Sequence, residues 1–200
     1  MKKLKMRSNL NNFVSLWKKT SLVLLLACLL CQFSCKKDNP EIPDEGELIT
    51  TLKYTLETPG EVDPVIMTFR DLDGPGGNDP DITGGTLKSS TVYFGNLELL
   101  NEAESPAENI TAEIEAEKAD HQFFFLINGL DMTVTYADTD ENNNPVGLFT
   151  AITTGQPGNG NLIINLQHEP NKLGAGVSEG NLNNAGGETD IQVNFPVTIQ

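Results

Sequence analysis

Two histidines are the first residues of this chain to invite a chemical reading. His121 opens an apolar run, His121 to Ile127 (HQFFFLI), and His168 closes an alternating one through Leu162, Ile164 and Leu166. Glu117 lies four residues before His121, and Glu169 directly follows His168. Imidazole nitrogen with carboxylate oxygen is the donor set of zinc and copper centres. The four residues can meet only if both histidines reach the same end of the fold. Strands beginning near His121, Asp131, Gly147 and Gly160, joined by reversing loops, would bring them there, with residues 138–145 capping that end. The plainer alternative makes His121 a cation at a helix C-terminus and His168 a strand-end residue bonded to a loop. No H-x-H or HExxH spacing supports the metal reading.

Two acidic loops have the oxygen-rich composition that hard cations such as calcium require. One runs from Asp71 to Asp81, with Asp71, Asp73, Asn78 and Asp79 as candidate ligands. The other runs from Asp138 to Asn144, with Asp138, Asp140 and Asn142. Neither is an EF-hand: Ile82 and Phe149 stand where that loop places its bidentate glutamate. Aspartate, asparagine and glycine also cluster in loops for their backbone geometry alone. Gly176-Val177-Ser178-Glu179-Gly180 matches G-x-S-x-G, but a nucleophile elbow needs a strand before it, a helix after it and a later histidine. Both histidines come earlier, so no catalytic residue is assigned and no enzyme is expected.

The elements that must position these residues read as strands. Alternation with period two is the main signal. It marks Leu48 to Leu56, then Val65, Met67 and Phe69, and it pairs Thr86–Lys88 with Thr91–Leu100 as a hairpin. Gly95 would mark a bulge or close packing. Residues 107–119 are the one helical candidate, a surface crossover whose Ile110 and Ile114 make a single apolar stripe. HQFFFLI is apolar on both faces, as a central strand would be. Met132, Val134 and Tyr136 share a face, Leu148 to Thr154 follows, and a Gly/Asn-rich loop spans residues 171–187. The last strand alternates through Ile191, Val193, Phe195, Val197 and Ile199, with Pro196 predicting a bulge or an edge. The expected fold is all-β, an antiparallel immunoglobulin-like sandwich of about eight or nine strands with one short surface helix.

Charge divides the chain. Of 200 residues, 13 are basic and 28 acidic, a formal net of −15. All acids follow Lys37, where they face Lys53, Arg70, Lys88, Lys118 and Lys172 alone, so this part carries −23. Such a surface repels nucleic acid and anionic lipid. The basic start, Lys2 to Lys19, precedes an apolar run from Leu22 to Phe33, the layout of a secretion signal. A spanning helix needs roughly 20 apolar residues, more than this run supplies. The three cysteines, Cys28, Cys31 and Cys35, all lie here, which rules out an intrachain disulfide framework further on.

Ser34-Cys35, followed at once by polar Lys36-Lys37-Asp38-Asn39, resembles the lipobox of bacterial lipoproteins. Leu25-Leu26-Ala27-Cys28 is the alternative, which would leave Leu29 to Phe33 as an apolar stub. The expected division is a signal peptide over 1–34, a lipidated Cys35 and disordered acidic tether over 35–46, and one domain over 47–200. Each buried methylene of an acyl chain contributes about 0.8 kcal/mol, so several chains anchor stably.

The lipid-anchored start, Asn101-Glu102 to His121-Gln122-Phe123-Phe124-Phe125, His168-Glu169-Pro170-Asn171-Lys172 and Gly186-Gly187-Glu188-Thr189-Asp190 resemble small envelope lipoproteins of Bacteroidota. Many of these carry the label "type 1 periplasmic binding fold superfamily protein". The two α/β lobes of a true periplasmic binding protein need about twice this length, so the sandwich stays the fold expectation. The resemblance implies an outer-membrane lipoprotein, on its periplasmic or surface face, partnered with a nutrient-uptake receptor of the TonB-dependent kind. Two functions follow as expectations: a non-enzymatic ligand-binding accessory of such a system, its ligand a metal or metal complex, or a structural or adhesion module with calcium-stiffened loops.

Overall fold

A computed structural model describes residues 48–200 apart from Glu61 and Pro75. The expected signal peptide, Cys28, Cys35 and the whole of the tether lie outside the described residues. The chain divides into two units, Met1–Asp44 and Glu45–Gln200.

The second unit is an all-β sandwich with one short helix. Its strands are β1 (Thr51–Glu57), β2 (Val65–Arg70), β3 (Asp81–Thr83), β4 (Gly85–Leu87), β5 (Val92–Leu100), β6 (His121–Asn128), β7 (Met132–Tyr136), β8 (Phe149–Thr154), β9 (Gly158–His168) and β10 (Glu188–Ile199). Helix α1 (Ile110–Ala116) joins β5 to β6. One sheet has the order β3-β2-β1-β5-β8-β7, the other β4-β10-β9-β6. Every pair is antiparallel except β4–β10.

Period-two alternation becomes the core directly. Leu52, Tyr54, Leu56, Tyr93, Leu97, Leu99, Leu162, Ile164, Leu166 and Val193 to Ile199 at every second residue are buried between the sheets. Gly95 is a close-packing position: a Cβ there would sit 2.5 Å from both the Tyr54 and Thr150 hydroxyls. Helix α1 is shorter than the predicted 107–119. Asn109 caps it, accepting from the Ala112 N–H, and Ile110 and Ile114 are buried in the core.

Two expectations need correction. Thr86–Lys88 and Thr91–Leu100 do not form a hairpin. β4 crosses to the opposite sheet and pairs parallel with β10, while β5 pairs with β1 and β8. The crossing occurs at Gly84, where a Cβ would lie 2.0 Å from the Pro196 carbonyl oxygen. Of the bulge or edge expected at Pro196, the edge is what is found: β10 gains β4 as a neighbour only from Val197 on, and the β10 bulge falls between Thr189 and Ile191. Finally, β6 is an edge strand, not a central one. Its outer face is covered by the loop over residues 169–187: Phe124 packs with Val177, Ala185 and Leu182. Its free edge is closed by Tyr136, whose hydroxyl donates to the Phe123 carbonyl (2.7 Å), and by the Val146 carbonyl, which accepts the Phe123 N–H (2.7 Å). A loop and a tyrosine do there what a further strand would otherwise do.

Candidate functional site

The site is the end of the sandwich where α1 stops, β6 begins and β9 finishes. The chain reversals bring the two histidines to one end, as expected: His121 and His168 are directly opposed on β6 and β9. Their rings stack with centroids 4.8 Å apart and planes 5° from parallel. His121 is 3% exposed.

Each nitrogen of His121 faces something. Nδ1 lies 3.1 Å from the Glu117 carbonyl oxygen. A carbonyl can only accept, so this contact assigns the proton to Nδ1. Nε2 lies 3.9 Å from Asp190 Oδ2. Asp190 is the residue inserted by the β10 bulge, and its side chain is 9% exposed. A bulge re-aims a side chain that plain alternation would send elsewhere. Sequence reading missed Asp190, although the Gly186-Gly187 lead-in already signals irregular backbone before the last strand.

The other two candidates do not join the histidines through their carboxylates. Glu117 contributes its carbonyl and leaves its side chain exposed. Glu169 is exposed at a positive φ of 50°, and its N–H donates to the Asp120 carbonyl (2.6 Å). Ring stacking also works against chelation. Nitrogen lone pairs lie in the ring planes, so two parallel stacked rings direct them along parallel lines and not towards one ion. Among the described residues no group of three or more His, Cys, Asp or Glu side chains is placed to hold a metal ion.

The loop over residues 137–148 caps this end, as expected, and its acids are engaged within the protein. Asp138 accepts from the N–H groups of Gly147 (2.7 Å) and Phe149 (3.2 Å). Asp140 Oδ1 accepts from the N–H groups of Asn142 (2.8 Å) and Asn144 (2.9 Å). Asp140 Oδ2 lies 3.1 Å from Lys172 Nζ, with side chains only 1% and 5% exposed. Lys172 also donates to the Lys118 carbonyl (2.5 Å). A lysine from the loop after β9 thus occupies the place the sequence suggested for calcium. Asn142 itself is exposed, taking part through its backbone. Burial alone would raise the Asp140 carboxyl, but the two N–H donors and Lys172 outweigh it and hold the group below the usual carboxylate range. Burial draws the Lys172 ammonium below its ordinary value, opposed by the charges of Asp140, Asp120 and Asp138.

The loop after β2 is likewise closed on itself. Asp71 accepts from the Gly74 N–H (2.9 Å), and Asp73 accepts from the backbone and side-chain N–H groups of Asn78 (2.9 and 2.7 Å). Those bonds hold the Asp73 carboxyl below its ordinary value. Asp79 is exposed beside them.

Comparison with protein-family models, with curated proteins and with solved structures finds no match.

Proposed function

We propose that this chain is a non-enzymatic, lipid-anchored envelope protein whose sandwich serves as a structural or adhesion module. The observation that carries the reading is how the candidate ligands are used. Asp71, Asp73, Asp138 and Asp140 bind the N–H groups of their own loops, and Asp140 meets Lys172. Loops stiffened by their own side chains suit a body that must hold its shape outside the cytoplasm. Anchorage rests on the acylated Cys35, with Cys28 as the alternative, and places the domain at the outer membrane. Mass spectrometry of the N-terminal peptide from producing cells should find diacylglycerol-modified Cys35, and an unprocessed Met1 would defeat the anchored reading. Melting with calcium and with a chelator tests the loops. Equal melting temperatures are expected, and a large calcium-dependent rise would restore calcium as the stiffening agent.

A second reading, a ligand-binding accessory of a TonB-dependent uptake receptor, draws on the juxtaposed histidines. Its ligand would be a zinc or copper ion, or a complex bearing an open coordination position. Titration of zinc and copper into the protein and into His121→Ala and His168→Ala variants tests it. Stoichiometric binding lost in both variants would favour this reading over the first.

A further inference from the structure

Lys172 and Asp140 come from different loops, 32 residues apart in sequence, and meet in a sealed interior. We propose that they are a cross-linking pair, and that in the folded domain their side chains condense to a Lys172–Asp140 amide with loss of one water.

The parts that an acyl transfer needs are gathered here. Nζ stands 3.1 Å from Oδ2, so nucleophile and carboxyl group are already in contact. The other carboxyl oxygen, Oδ1, is held by two backbone N–H donors at 2.8 and 2.9 Å. Such a pair of fixed donors stabilises the oxygen that gains charge as a tetrahedral centre forms. The Lys118 carbonyl takes a second Nζ hydrogen at 2.5 Å and fixes the amine's orientation. Holding the reactants together in this way replaces a bimolecular encounter with an intramolecular one, an advantage measured at roughly 10⁵–10⁸ M in effective concentration.

The step balances. Lys172 passes one proton along the existing hydrogen bond to Asp140 Oδ2, giving a neutral amine and a carboxylic acid. The ion pair is the resting form, since the Asn142 and Asn144 N–H groups and Lys172 hold Asp140 charged, and burial of both groups lowers the cost of reaching the neutral pair transiently. The Nζ lone pair attacks Cγ, and Oδ1 takes the charge under the Asn142 and Asn144 N–H groups. A second Nζ proton moves to Oδ2, the Cγ–Oδ2 bond breaks, and water leaves. No oxidant or co-reactant is consumed.

The product gives up one contact, the long one from the Asn144 side-chain amide to Oδ2 (3.4 Å), and retains the others. The amide oxygen keeps the Asn142 and Asn144 donors, and the remaining Nζ hydrogen keeps the Lys118 carbonyl. Two buried charges disappear, and with them the desolvation cost that makes a buried ion pair a weak source of stability. The bond would tie the β7–β8 loop to the β9–β10 loop. No cysteine lies beyond Cys35, so this stretch of chain has no disulfide that could do so. Closing a loop in the unfolded chain stabilises the fold as a disulfide does.

Peptide mass mapping of the full chain purified from producing cells tests the proposal. The expected product is a branched peptide containing Asp140 and Lys172, one water lighter than the sum of its two linear parts. Lys172→Arg should yield the two linear peptides separately. Asp140→Asn should yield a branched peptide of the same mass as the wild-type product, released with ammonia in place of water. Separate linear peptides in the wild-type protein would overturn the proposal and leave a plain ion pair. So would a water loss that persists in Lys172→Arg. The wild-type map decides the matter even where a variant fails to fold.

Discussion

Tyr136 shows how much one side chain can carry. Its hydroxyl donates to the Phe123 carbonyl and receives the Gln122 side-chain amide at 3.3 Å. Burial, joined by the charge of Asp138 and opposed by Gln122, pushes its phenol up to about 12. The folded state therefore keeps a proton that an unfolded tyrosine loses near its ordinary value of about 10. Between those two values the folded state binds more protons, so stability falls as pH rises through this window. Urea unfolding should show full stability at neutral pH and a progressive loss above the ordinary tyrosine value. Tyr136→Phe should lower stability by about 1–2 kcal/mol at neutral pH, because the Phe123 carbonyl loses its donor, and should flatten the alkaline slope.

Elements here depend on contacts far away in sequence. Gly84 lets the chain leave one sheet and enter the other beside Pro196. A Cβ there would collide with a backbone carbonyl, which cannot rotate away as a side chain could. Gly84→Ala should cost about 1–3 kcal/mol in chemical denaturation, with the β4–β10 pairing the first to lose amide protection in hydrogen exchange. Edge strand β6 depends on its covering loop in the same way. Val177 is fully buried against Phe124, and its carbonyl accepts from Gln122 (2.9 Å). Val177→Asp would set an unpaired charge there. We expect a loss of about 3 kcal/mol or more and a rise in dye binding as the β6 face is uncovered.

At the scale of the molecule, charge is the dominant property. Five basic residues oppose 28 acids after Lys37. Ion pairs such as Lys53–Glu98 (3.0 Å) and Arg70–Glu102 (2.7 Å) neutralise a few of these acids, and the rest repel one another. Added salt screens that repulsion over a distance of about 10 Å at 0.1 M. The melting temperature should therefore rise from low-salt to high-salt buffer, whereas a domain held mainly by surface ion pairs would show a fall.

What the residues determined unaided was whatever is periodic or local. The inward sets of β1, β5, β9 and β10 follow from alternation, because a pleated strand sends successive side chains to opposite faces. The meeting of His121 and His168 followed from counting reversals, since antiparallel neighbours return to the same end. The self-closed Asp71 and Asp138 loops were foreshadowed by their turn-forming composition. Tertiary structure alone decided which surface covers which. HQFFFLI is equally apolar whether a sheet or a loop lies over it, so its edge position was not legible. Three residues, Gly85–Leu87, are too few to carry a period, and their parallel partner lies more than 100 residues away. Asp190 faces His121 because a bulge breaks alternation, and Lys172 is buried because the loop after β9 folds inward to Asp140. Both are long-range consequences of packing, and no local pattern encodes them.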